Sequence, residues 1–206
     1  DDMGLGKTIQ VLAMLERRRK EKSGPSLIVV PRSLIFNWTA EAKKFAPKIR
    51  VLDQSHAQRT RGTDHLSKFD IVLTTYGTLR RDAAFLKDFE FDYVILDEAQ
   101  AIKNAATEAS KAARLLRGKH KLALSGTPIE NHLGELWSLF DFLNPGMLGR
   151  VGRFAGFADD ADMDQRKLLA NAVRPFILRR TKKQVAPELP DRIEQTVIVE
   201  LDSDQR

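Results

Sequence analysis

The chain has 206 residues, with 34 Lys and Arg against 28 Asp and Glu, a formal net charge of +6 at pH 7. A composition that is 42% hydrophobic and 30% charged excludes a disordered or collagen-like chain. The absence of cysteine excludes a disulfide scaffold, a thiolate metal site and a thiol nucleophile.

A chain of this length buries roughly 70% of its unfolded surface, enough for one real core. No apolar run approaches about 18 residues and no signal-peptide pattern opens the sequence, so an intracellular chain without a membrane partner is expected. The positive excess suits a polyanion partner and plain solubility equally. Residue 1 is not Met and already stands inside a functional-looking loop, so a fragment lacking its preceding strand is expected.

In chain order, Asp1-Asp-Met-Gly-Leu-Gly-Lys-Thr runs directly into a helix-like stretch, Ile9 to Glu16. Gly-Lys-Thr opening a helix is the working end of a phosphate loop. Gly4 and Gly6 let backbone N–H groups curl round phosphate oxygens, Lys7 would reach the β- and γ-phosphates, and the Thr8 hydroxyl would ligate Mg²⁺. Asp1 stands where the common pattern has glycine, and a simple glycine turn before Lys-Thr is the alternative.

Leu27 to Val30 is the first of four short apolar runs, followed by Ile71 to Leu73, Tyr93 to Leu96 and Leu122 to Leu124. They do not alternate with polar residues, so strands covered on both faces, as in a parallel sheet, are expected. Between them, Ile35, Trp38, Ala42 and Phe45 share one helix face that Ser33 would cap, and Leu133, Leu136, Trp137, Phe140 and Leu143 form a second stripe. Trp38 and Trp137 are therefore expected in the core. Strands alternating with helices indicate an α/β layered fold with right-handed crossovers. Asn144 to Gly149 is a turn cluster, helical spacing returns over Gln165 to Val173, and Ile193 to Leu201 reads as a late strand.

Each apolar run ends in polar or turn-forming residues: Pro31-Arg-Ser, Thr74-Thr-Tyr-Gly, Asp97-Glu-Ala-Gln and Ser125-Gly-Thr-Pro. Ligands of open parallel sheets bind at the carboxyl ends of the strands, so these segments define one functional rim. Tyr93-Val-Ile-Leu-Asp-Glu delivers two acids to it. An Asp there holds the metal of a bound nucleotide, and the adjacent Glu can deprotonate the attacking water. Capping of a following helix by Asp97 and Glu98 is the alternative, and the company of a Gly-Lys-Thr loop favours the chemical role. His56, His65, His120 and His132 share no ligand spacing.

These strings, in this order, resemble the Swi/Snf-like DNA translocases of helicase superfamily two. The opening segment through Gln10 resembles motif I, including its Asp in place of glycine. Val30-Pro-Arg-Ser-Leu-Ile-Phe-Asn-Trp resembles motif Ia and Leu73-Thr-Thr-Tyr-Gly motif Ib. Leu96-Asp-Glu-Ala-Gln-Ala-Ile-Lys-Asn resembles motif II in a DEAQ form, Leu124-Ser-Gly-Thr-Pro-Ile-Glu-Asn motif III, and Pro175-Phe-Ile-Leu-Arg-Arg-Thr-Lys the stretch leading to a second lobe.

The resemblance implies a three-layer RecA-like lobe, a phosphate-loop NTPase fold with a central parallel sheet and a C-terminal helical appendage. Residues 1–143 would be the lobe, 144–190 a protrusion and connector, and 191–206 a late strand leading on. It implies ATP and Mg²⁺ as cofactors and double-stranded DNA, a second RecA-like lobe and nucleoprotein complexes as partners. The location would be the cytoplasm or nucleoid of a bacterium, or the nucleus of a eukaryote. Asp2, Gly4, Leu5, Gly6, Lys7 and Thr8 would bind ATP; Thr8 and Asp97 would hold the metal; Lys7, Asp97 and Glu98 would be catalytic. Gln100, Ser125, Gly126 and Thr127 would couple nucleotide state to movement, and Arg32, Ser33, Thr75 and Tyr76 would lie along the DNA-facing rim.

In this family an adenine-reading segment lies upstream and arginine fingers lie on the second lobe, so these 206 residues alone are expected to bind ATP weakly and hydrolyse it very slowly. An RNA-dependent helicase lobe is a second reading, disfavoured by Asn37-Trp38 and Ile102-Lys-Asn. A non-catalytic scaffold is a third, disfavoured by the intact Lys7, Thr8, Asp97 and Glu98. The basic run Arg17-Arg-Arg-Lys is expected to be a solvated helix end, and Arg179-Arg180 with Lys182-Lys183 to touch nucleic acid or brace the motor.

Overall fold

Continuous apolar strands need cover on both sides, and the computed structural model provides it. It describes residues 1–2, 4–126, 133–149, 154, 163–185 and 187–188. β1 (Ser26–Val30) lies at the centre of a five-stranded, wholly parallel sheet with β2 (Val51–Asp53), β3 (Ile71–Thr75), β4 (Glu90–Leu96) and β5 (Arg117–Ala123), in the order β2-β3-β1-β4-β5. Every residue of β1 and β3 is buried. Successive side chains feed opposite faces: Leu27, Val29, Val72, Val94 and Leu96 enter one core, and Ile28, Val30, Ile71, Leu73 and Ile95 the other.

Helices α1 (Lys7–Lys20) and α2 (Ile35–Phe45) cover the second face through Val11, Leu12, Leu15, Trp38 and Ala42. The first is covered by α3 (Tyr76–Leu86), α4 (Glu108–Leu115) and Phe142 of α5 (Leu133–Leu143). Trp38 and Trp137 are buried as expected, at 2% and 7% exposure. Two details differ. Ser33 does not cap α2; it sits in a 3₁₀ turn, Arg32–Leu34, that runs straight into the helix with no side-chain cap. Phe45, on the expected stripe, is 48% exposed, with the Lys44 ammonium 5.0 Å from its ring centroid.

The basic run at the end of α1 is mostly surface pairing, Arg17 with Glu21 and Arg19 with Glu16. Arg18 departs from that expectation. Its guanidinium makes a two-pronged contact with the buried carboxylate of Asp92 on β4, at 2.9 and 2.7 Å, and so ties the helix behind the glycine loop to the strand that carries Asp97.

Beyond α5, α6 (Met163–Val173) places Val173 and Leu169 against Leu136, Phe140 and Leu148, and a short α7 (Lys182–Val185) follows. The expected late strand at 193–201, residues 150–153 and 155–162 of the expected protrusion, and Thr127 and His132 lie outside the described residues. Among the described residues no helix is long and apolar enough to cross a membrane.

Gly118 on β5 packs closely against β4: a Cβ there would stand 2.7 Å from Val94 Cγ2 and 3.1 Å from the His120 carbonyl oxygen. Gly118→Ala is therefore expected to destabilise the fold by about 1–3 kcal/mol through overpacking, read as a lower denaturation midpoint at unchanged slope.

Candidate functional site

Because all five strands are parallel, the segments that follow them emerge at one edge. There the opening glycine loop turns through left-handed Gly4 (φ 83°) and Gly6 (φ 72°), conformations natural to residues without Cβ, and Gly6 leads into α1. Leu5, Lys7 and Thr8 follow at the loop and first helical turn, half-buried. The Lys7 ammonium donates to the carbonyl oxygens of Asp1 (3.0 Å) and Asp2 (3.1 Å). Among the described residues its hydrogen bonds go to its own loop's carbonyls, and a cation so held is poised for a stronger anionic partner.

Asp97 leaves β4 with its N–H on the Val29 carbonyl at 2.9 Å, and it is 6% exposed. Its Oδ2 accepts from Trp38 Nε1 at 2.8 Å and its Oδ1 from the Glu98 amide at 3.0 Å. Burial raises its pKa above the usual aspartate range; the Trp38 and Glu98 bonds and the Lys7 charge oppose this. A desolvated carboxylate with lone pairs remaining on both oxygens suits a cation. Among the described residues no three His, Cys, Asp or Glu converge; an ion bound together with phosphates needs only one or two protein oxygens. Thr8, at the start of α1, and Asp97 carry the hard oxygen donors that Mg²⁺ takes, so these residue types fit Mg²⁺ with a nucleotide.

Glu98 occupies the left-handed region (φ 48°, ψ 55°), unusual for a residue with a Cβ. It is fixed on both sides, because Asp97 bonds to β1 and the Ala99 N–H bonds the Leu124 carbonyl at 2.9 Å. Its side chain does not cap the 3₁₀ turn Ala99–Ile102 that follows. Instead Gln100 Nε2 donates to Glu98 Oε2 at 2.8 Å, and Ser125 Oγ donates to Gln100 Oε1 at 3.2 Å. A relay thus runs from the loop after β5 to the acid after β4. Gly126 is next to it; Thr127 is outside the described residues.

The expected outer rim divides. Arg32 and Ser33 are exposed on the turn after β1. Thr75 and Tyr76 stand at the end of β3, and their hydroxyls bond within the protein. The Thr75 hydroxyl caps α3 by accepting from the Thr78 N–H at 3.1 Å. Tyr76 donates its hydroxyl to the Asp97 carbonyl at 2.8 Å, and burial beside the charges of Asp97 and Glu98 holds its phenol well above the usual tyrosine range, so it remains a donor.

Two functional contacts were missed in the sequence: Trp38, read as core alone, and Tyr76 as a partner of Asp97. Tyr76 directly follows a strand run and Trp38 lies on the helix after another, and their contacts with Asp97 span 21 and 59 residues. Among the described residues the histidines do not gather: His56 pairs with Asp53 and His120 stacks on Tyr93.

The profile of the SNF2-related domain matches residues 1–206. A putative ATP-dependent helicase/translocase of Bacillus subtilis, YwqA, is 42% identical across 100% of this chain and 24% of its own length. TATA-binding protein-associated factor BTAF1 of Arabidopsis thaliana is 37% identical over 95% of the chain and 11% of its own. The Sulfolobus solfataricus SWI2/SNF2 ATPase core in complex with dsDNA superimposes with a TM-score of 0.82 at 44% identity, over 90% of this chain and 40% of that one. The chain therefore spans a quarter or less of these curated relatives' length.

Proposed function

Because the chain belongs to the SNF2-related domain family, we propose that it is the ATP-binding and hydrolysing lobe of a motor that moves on double-stranded DNA, with residues 1–143 as the lobe and 144–190 as protrusion and connector. The observation that carries this reading is the meeting, at one sheet edge, of a loop whose Lys7 donates to backbone carbonyls with the Asp97–Glu98 pair.

In this mechanism Asp2, Gly4, Leu5 and Gly6 shape the loop, and Lys7 leaves the Asp1 and Asp2 carbonyls for the β- and γ-phosphates. Thr8 and Asp97 would hold Mg²⁺, which would offset the charge on the transferred phosphate's oxygens. Glu98 accepts a proton from the attacking water, and Gln100 holds its carboxylate in the orientation to do so. Ser125 sets Gln100 and so reports movement at β5 to the base, and Gly126 and Thr127, next in sequence, share that coupling role. Arg32 and Ser33 grip the phosphate backbone, a sequence-independent contact. Behind them Trp38 and Tyr76 link the same loops to Asp97, which gives duplex binding a direct route to the metal-holding acid.

An RNA motor would keep the ATP chemistry and change the polymer. In the protein that carries this chain, ATP hydrolysis is expected to rise with duplex DNA and to respond weakly to RNA, and to lose its stimulation steeply as salt is raised. Equal or greater stimulation by RNA would replace the DNA reading; no stimulation by either would leave a scaffold.

A further inference from the structure

The segment after α6 returns to the glycine loop. Phe176 meets Phe140 edge-on, ring centroids 6.1 Å apart. Residues 180–182 then lie beside Asp1 and Asp2 as a short ladder. The Asp2 N–H donates to the Arg180 carbonyl (3.1 Å), the Arg180 N–H to Asp1 Oδ1 (3.2 Å), and the Lys182 N–H to Asp2 Oδ2 (3.0 Å). The Arg180 guanidinium grips both Asp1 carboxylate oxygens and also donates to Gln10 Oε1 on α1 at 2.9 Å. The Lys182 ammonium stands 3.7 Å from where a Cβ on Gly4 would be. A cavity of about 280 Å³ lies inside this segment, walled in part by Asp1, Asp2, Ser125, Gly126 and Arg179.

Asp1 and Asp2 are thus held from two sides: Lys7 takes their carbonyls, and the returning segment takes their carboxylates. Two carboxylates beside a polyphosphate site would repel the nucleotide. Arg180 offsets this at Asp1 with a two-pronged charge-assisted contact that lysine cannot reproduce.

We propose that residues 179–182 form a strap that positions the phosphate loop, with Arg180 as its positioning residue, so that strap docking and nucleotide binding reinforce each other. This rests on the ATP-site reading above. The coupling is reciprocal: a strap that favours nucleotide is itself tightened by nucleotide.

The test uses the protein that carries this chain. Arg180→Ala is expected to raise KM for ATP about tenfold while kcat changes little, the pattern of lost nucleotide binding. Arg180→Lys should recover part of the loss. Asp1→Asn, which removes the repelling charge, should relieve Arg180→Ala in the double variant; a purely structural contact would instead make the two losses equal or additive. In the unmodified protein, a non-hydrolysable ATP analogue should slow amide exchange at Arg180 and Lys182 about tenfold. Unchanged KM in Arg180→Ala, no relief by Asp1→Asn, or unchanged exchange at these amides overturns the strap. The two readings fail separately: if Glu98→Gln still hydrolyses ATP at the parent rate, the ATP site itself is misassigned. If Glu98→Gln is inactive but Arg180→Ala keeps the parent KM, only the strap falls.

Discussion

Glu98→Gln is expected to lower ATP turnover about 10²- to 10⁴-fold while leaving nucleotide binding in place, because it removes a proton acceptor and little else. The amide is nearly isosteric with the carboxylate and keeps an oxygen to accept from Gln100 Nε2, which donates to Glu98 Oε2 at 2.8 Å. The left-handed backbone at Glu98 is imposed by neighbours rather than by its side chain, since Asp97 is bonded to β1 and Ala99 to Leu124. Lys7→Ala should behave differently. It deletes the cation that would move to the phosphates, so both binding and turnover fall. Binding of a fluorescent ATP analogue, measured beside single-turnover hydrolysis in the two variants, separates the roles. Parent-level hydrolysis in Glu98→Gln would remove Glu98 as the base, and unchanged binding in Lys7→Ala would remove Lys7 from the phosphate site.

How much of this was legible in the sequence follows burial. Leu27 to Val30 and Ile71 to Leu73 declare themselves because strands covered on both faces must be apolar at every position. β5 is visible only at its end: Arg117 to Lys121 is polar because the strand lies at the sheet's edge, and its first half is largely exposed. β2, three half-buried residues at the other edge, leaves no apolar run at all. The start of β4 is hidden by a charge, Asp92, which tolerates burial only because Arg18 reaches it from α1, 74 residues away in sequence.

The site divides in the same way. Gly-Lys-Thr and Asp-Glu are local strings whose chemistry can be named from residue types. The partners that tune them, Trp38 and Tyr76, are aromatic residues whose polar atoms matter only once β1, β3 and β4 lie side by side. An indole at helical spacing reads as core, and Trp38 is core; its N–H is a second role that periodicity cannot carry.

Trp38 consequently has two separable effects. Trp38→Ala is expected to cost about 3–5 kcal/mol of stability, since it empties a site that is 2% exposed between α2 and the sheet. Trp38→Phe keeps most of the packing and deletes the donor, leaving Asp97 Oδ2 without its 2.8 Å bond, at a cost of about 1–3 kcal/mol. The sign of its pH dependence is fixed by the same bond. Burial raises the pKa of Asp97, and the Trp38 hydrogen bond pulls it back by favouring the carboxylate. Removing that bond raises the pKa further, so the metal-holding carboxylate is lost at a higher pH. The acid limb of ATP turnover should therefore shift upward in Trp38→Phe, with activity recovering as pH rises.

Stability moves in step. A carboxyl whose pKa is raised by folding contributes stability that is fully present below the unfolded pKa and lost as pH rises through the folded one. The penalty of Trp38→Phe is thus largest at neutral pH and shrinks on acidification, as Asp97 takes up its proton. Denaturant unfolding of the two proteins across that range, beside their pH–rate profiles, tests both halves. A penalty constant with pH, or an acid limb left in place, would show that Trp38 packs beside Asp97 without tuning it.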